Sequence, residues 1–220
     1  MINIKEQQNL FMQIGKKLSR EITVYAIGGT AMMFLGAKES TLDIDLEFLK
    51  KEDKNLFKES AKSLGYKEMD AQIVYGARDN CPEMIHLGDS RIDLFLFNVL
   101  DFKFSETIQK RAEQTHQFYN NLIIKVADTN DILLMKSVTN RAKDKYDIIK
   151  LINSSEINWD IIIKEAENQV NLGHETAILT LGTRLEDLKN NSKIKIPQEV
   201  LDKLWNLLKN QISKKVKKKN

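Results

Sequence analysis

Asp43 and Asp45 stand two residues apart in Leu42-Asp43-Ile44-Asp45-Leu46-Glu47-Phe48, a strict alternation of apolar and acidic side chains. A period of two marks a strand, with Leu42, Ile44, Leu46 and Phe48 inward and every carboxylate on the opposite face. On such a strand the two aspartates project side by side, roughly 7 Å apart at the backbone. Two readings fit them. One is a solvated strand face, unusual because Asp is a poor strand former; the other is a divalent cation site, since Mg²⁺ takes one or two protein carboxylates together with water and phosphate oxygens. A third acid, Asp93, lies inside the apolar run Arg91-Ile92-Asp93-Leu94-Phe95-Leu96-Phe97, and a neighbouring strand would bring it beside the first two. Three acids on one sheet face would hold two metal ions about 3.5–4 Å apart, the arrangement that activates an attacking oxygen and clamps a triphosphate. Phosphoryl or nucleotidyl transfer is the chemistry this points to.

The elements that must position these acids follow from the flanking sequence. Leu10, Phe11, Ile14 and Leu18 recur at helical spacing, and Ile22-Thr23-Val24-Tyr25-Ala26-Ile27 is a strand-like run. Gly28-Gly29-Thr30 then opens a short helix that stops at Gly36. The glycine pair is either an ordinary tight turn or a place where a phosphate approaches backbone N–H groups at a helix start. Further strands are expected at 72–75, 83–87 and 91–97, the last two joined by a Gly88-Asp89-Ser90 turn, with a charged helix over 51–64. Leu122-Ile123-Ile124-Lys125-Val126 is a last short strand, and beyond it the period becomes helical, over 129–140, 142–151, 159–169, 175–188 and 197–208. The expected fold class is therefore α+β: a mixed sheet flanked by helices over residues 1–127, a helical bundle over 128–212, and a disordered basic tail over 213–220.

The chain has 220 residues, 42% of them hydrophobic, and a formal net charge of +3. That composition supports a packed core and excludes a wholly disordered or collagen-like chain. Lys214, Lys215, Lys217, Lys218 and Lys219 by themselves outweigh the net charge, so the remainder is slightly acidic. The lysines read as a solvated end or as a polyanion-binding arm. The lone cysteine, Cys81, suits a reducing cytoplasm, and no apolar run approaches the ~20 residues that span a bilayer. His86, His116 and His174 are too scattered for a metal-ligand pair.

Taken together, Gly28-Gly29-Thr30-Ala31, Lys38-Glu39-Ser40-Thr41 and Asp43-Ile44-Asp45-Leu46 resemble the signature of the DNA polymerase β-like nucleotidyltransferase superfamily, and in particular its small prokaryotic MNT and AbiEii toxin groups. The resemblance implies that Asp43, Asp45 and Asp93 are catalytic and bind Mg²⁺ or Mn²⁺, with Asp93 helping to deprotonate the acceptor. It also implies that Gly28, Gly29, Thr30, Lys38, Thr41 and Lys136 contact the NTP. Where many relatives carry an Arg two residues before the spacer Thr, this chain has Glu39, with Lys38 beside it as the substitute. A second segment, from Asp131 to Ile148, is similar to an AbiEii-type helix with an inward lysine, here Lys136, followed by Arg141, Lys143, Asp144 and Asp147. A lysine set within Leu133-Leu134-Met135 either snorkels to the surface or needs an anion, a carboxylate or a triphosphate.

These features predict a nucleotidyltransferase that moves an NMP from an NTP, ATP among the candidates, to a hydroxyl on a tRNA, a protein or a small molecule. The resemblance further implies a place as the toxin of a toxin–antitoxin pair, with an antitoxin as partner. The alternative is a catalytically inactive module of the same fold that binds nucleic acid or a partner protein.

Overall fold

The computed structural model describes residues 1–138 and 144–219, and the side chains of all of these except 215 and 217–219. It divides into two compact units, Met1–Asp128 and Thr129–Asn220.

The first unit begins with β1 (Ile2–Asn3) and α1 (Ile4–Lys17). Asn3 and Glu6 close a reciprocal cap on that helix: each side chain accepts a hydrogen bond from the other residue's backbone N–H, at 3.0 and 2.8 Å. Then come β2 (Ile22–Ala26), α2 (Gly28–Phe34), β3 (Ser40–Thr41), β4 (Asp43–Phe48) and α3 (Lys51–Lys62). Next are β5 (Lys67–Met69), α4 (Gln72–Tyr75), β6 (Glu83–Leu87), β7 (Ser90–Leu96), β8 (Asn98–Val99) and β9 (Phe102–Lys103). The unit closes with α5 (Glu106–Arg111), β10 (Thr115–Phe118) and β11 (Leu122–Val126).

The main sheet runs β10-β11-β2-β4-β7-β6-β5, with β8 and β9 appended beyond β7, while β1 and β3 pair separately. It is mixed: β11 lies parallel to β2 and β4 parallel to β7, and the other pairs are antiparallel. The β4–β7 pairing sets Ile44 opposite Ile92, Leu46 opposite Leu94 and Phe48 opposite Leu96. These six share one face, and α3 covers it, with Phe57 edge-on to Phe48 at a centroid distance of 5.5 Å. Burying Ile44, Leu46, Phe48, Ile92 and Leu94 fully out of water contributes about 1.5–3 kcal/mol each. Lys54 and Lys58 of α3 also reach Glu83 of β6, at 2.5 and 2.6 Å.

The second unit is helical: α6 (Thr129–Val138), α7 (Asp144–Ser154), α8 (Trp159–Asn171), α9 (Ala177–Asn191) and α10 (Gln198–Lys219). Asn158 caps α8 by accepting from the Ile161 N–H, and its own N–H donates to Asn130 at 2.8 Å. Gly182 lets α9 and α10 close up, since a β-carbon there would stand 3.2 Å from the Trp205 ring.

Several expectations change. Residues 72–75 form a helical turn, not a strand; the Gln72 N–H donates to Asp70, an Asx turn that starts the coil, and the strand lies earlier, at 67–69. Leu42 is 63% exposed, because β4 begins one residue later. The helix α10 carries on through Lys219 where a tail was expected, and lysine's good helix propensity allows this. Arg141, Lys143 and the expected end of the first C-terminal helix lie outside the described residues.

Candidate functional site

The acidic face is built by register. In the parallel pair β4–β7, Asp45 sits directly opposite Asp93 and Asp43 opposite Arg91. Directly paired residues share a face, so Asp43, Asp45, Arg91 and Asp93 form one patch. Each of the three aspartates offers a carboxylate oxygen, and these oxygens all lie within 4.8 Å of one another. Asp93 is fully buried and Asp43 is 6% exposed, so neither faces the open solvent of an ordinary strand surface.

Arg91 holds the two buried acids. Its Nε donates to Asp93 Oδ1 at 2.9 Å, and its Nη2 donates both to Asp93 Oδ2 at 3.2 Å and to Asp43 Oδ2. The Tyr75 hydroxyl donates to Asp93 Oδ2 at 2.5 Å. Burial pushes the Asp93 carboxyl above its ordinary pKa, and the Tyr75 hydrogen bond and the Arg91 charge oppose this without cancelling it. For Arg91, burial works against the charge, but Asp93 and Asp43 outweigh it and the guanidinium is held above its ordinary value.

The glycine turn is shaped around Asp45. The Asp45 N–H donates to Thr30 Oγ1 at 2.8 Å, and the Ile27 N–H donates to the Asp45 carbonyl at 3.2 Å. Gly28 has φ +53°, and a β-carbon on it would stand 2.5 Å from Asp45 Oδ2. A β-carbon on Gly29 would stand 2.5 Å from Thr41 Oγ1 and 3.9 Å from Lys38 Nζ. Gly28 and Thr30 therefore border Asp45, and Thr41 and Lys38 border Gly29. Thr30 is fully buried, so its hydroxyl serves to seat Asp45.

Lys136 belongs to the second unit. It is buried, and its amine donates to Asp144 at 3.2 Å and Asp147 at 2.6 Å. His116 stacks on Phe34 at 4.5 Å in an aromatic group with Phe118, a packing role.

Two residues escaped the sequence reading of the site. Arg91 carried a usable signal, since it stands two before Asp93 and period two puts both on one face. Tyr75 carried none, because its reach depends on the helical turn at 72–75. Glu47 extends the acidic row and is fully buried; burial pushes its pKa well above the ordinary value, against the opposing Phe97 backbone and the Lys54 charge.

No family model and no curated protein matches the chain. A solved structure of ANT(2")-Ia in complex with adenylyl-2"-tobramycin is similar at a TM-score of 0.45 and 15% identity, over 82% of this chain and 97% of that one. Among the described residues no helix is long and apolar enough to cross a membrane.

The donor set suits a hard divalent cation. Three carboxylates converge, and oxygen-only ligation favours Mg²⁺ or Mn²⁺ over softer metals.

Proposed function

We propose that the chain is a Mg²⁺- or Mn²⁺-dependent nucleotidyltransferase. The observation that carries this is the convergence of Asp43, Asp45 and Asp93 within 4.8 Å, beside a glycine turn whose missing side chains leave room at Asp45. In this reading Asp43, Asp45 and Asp93 hold the metal, which supplies charge neutralisation for a triphosphate and acidifies a nearby hydroxyl.

The chain's own groups do the rest. Thr30 seats Asp45, Tyr75 orients Asp93, and Gly28, Gly29, Lys38 and Thr41 receive the triphosphate. The acceptor oxygen bonds to the α-phosphorus as the bond to the bridging oxygen breaks; pyrophosphate leaves and Asp93 takes the acceptor proton. An acid whose burial raises its pKa is suited to that transfer. In the same reading Lys136 organises Asp144 and Asp147. The acceptor is a hydroxyl on a tRNA, a protein or a small molecule, and a toxin role beside an antitoxin is the setting proposed for it.

Transfer from each α-labelled NTP to cell RNA, protein and small-molecule fractions tests the proposal. Wild type should label one fraction in a Mg²⁺-dependent way, and Asp45→Asn, folded by circular dichroism, should not. Equal labelling by both proteins would overturn it.

A further inference from the structure

We propose that Arg91 is a resident counter-ion of the acidic triad, holding the place between Asp43 and Asp93 that a bound divalent cation would need, so that the affinity for metal is set by the release of Arg91. The inference deepens the function proposed above and rests on it.

A single nitrogen carries the argument. Arg91 Nη2 donates to Oδ2 of Asp43 and to Oδ2 of Asp93, while Nε holds Oδ1 of Asp93. The two acids that a bridging cation would draw together thus already share one positive group. Strand geometry puts it there: Arg91 is the register partner of Asp43 and lies two residues before Asp93 on β7. A fork of N–H donors on a planar group is the protein's own way to pair carboxylates.

The reason for such a group lies in burial. Asp43 and Asp93 are both buried, and Asp45 stands against them. Clustered carboxylates taken out of water need a compensating charge, and in the metal-free protein Arg91 supplies it. The same group obstructs ligation. Mg²⁺ requires oxygen ligands at about 2.0–2.1 Å in octahedral geometry, and a guanidinium bonded to those oxygens occupies their lone pairs and adds a like charge. Tyr75 differs: its hydroxyl is neutral and holds one oxygen of Asp93, so it can stay while Arg91 leaves.

Mn²⁺ binding to the full chain, followed by calorimetry and electron paramagnetic resonance, tests this with wild type, Arg91→Met and Asp45→Asn. Arg91→Met should bind Mn²⁺ at least tenfold more tightly than wild type, and Asp45→Asn more weakly. Equal or weaker binding by Arg91→Met would overturn the counter-ion role while leaving the metal site standing. No Mn²⁺ binding by either wild type or Arg91→Met would overturn the metal reading, and this inference with it. Because removing Arg91 leaves clustered acids unbalanced, a measurement on wild type stands beside the variant: the Arg91 Nε–H resonance, assigned by through-bond correlation, should shift and exchange with water at saturating Mg²⁺. An unmoved, protected resonance while calorimetry shows Mg²⁺ bound would overturn the inference even if the variant does not fold.

Discussion

Gly28 and Asp45 fit each other by subtraction: the place where Gly28 would carry a β-carbon lies 2.5 Å from Oδ2 of Asp45. The glycine also adopts φ +53°, a left-handed conformation that other residues reach only at a cost. The turn is thus a mould for a carboxylate, whatever else it receives.

Gly28→Ala should therefore do two things. The left-handed backbone costs about 1–2 kcal/mol, and the new methyl pushes the Asp45 carboxylate aside. Urea denaturation should show a loss of that size, and Mn²⁺ affinity should fall more than tenfold with the far-ultraviolet spectrum unchanged. Unchanged Mn²⁺ affinity would mean that Asp45 does not bind metal from this position.

Tyr75→Phe removes the 2.5 Å donor to a fully buried acid. A hydrogen bond to a charged group contributes about 1.5–3 kcal/mol, so stability should drop by that order. Metal affinity should change little, because Tyr75 orients Asp93 without lending charge. A stability change below about 0.5 kcal/mol would show that the hydroxyl is not bonded in solution.

Glu83 links stability to pH. Burial alone would raise its pKa, but the Lys54 and Lys58 amines outweigh it, and the folded-state value lies below the ordinary one. A depressed folded value means that the unfolded chain takes up the proton first as pH falls. The stabilisation is therefore fully present above the unfolded pKa near 4.3 and is lost as pH drops through the lower folded value. Glu83→Gln should cost about 1 kcal/mol at pH 7, given the partial exposure of the pair. The gap between variant and wild type should close in strong acid, as read from urea midpoints at pH 7, 4.5 and 3. A gap that stays constant across that range would exclude the charge as its source.

Lys136→Met takes the amine away from Asp144, which is fully buried, and from Asp147. Breaking a buried pair from one side costs about 3–5 kcal/mol, and thermal melting should register a loss of that order. Asp147→Asn added to Lys136→Met should recover part of it. A neutral Lys136→Met would assign that lysine to something other than holding these acids.

The acidic strand was legible because two periods coincide in it. Ile44, Leu46 and Phe48 are driven to the core face, and Asp43 and Asp45 are left no choice but the other. The hairpin at Gly88-Asp89 was legible from its turn residues. What stayed hidden lacks any local period: the β1–β3 ribbon and the β8–β9 pair are two residues per strand, too short to alternate. Leu42 obeys the alternation in sequence and escapes it in space, one residue before the strand begins. Burial of Glu47 was equally unreadable, since nothing in an acidic side chain announces that neighbouring layers will cover it.

The parallel pairing of β4 with β7 has a consequence in time. A parallel pair cannot close through a tight turn, so α3, β5, α4 and β6 must all be laid down before Asp93 reaches Asp45. A nascent chain that has exposed only its first sixty residues, on the order of half a typical domain, holds two acids with neither the third nor Arg91 to balance them. If the triad binds metal as proposed, cation affinity arises late, with the long-range contact itself, and a bound Mn²⁺ would serve as a clock for the arrival of tertiary structure.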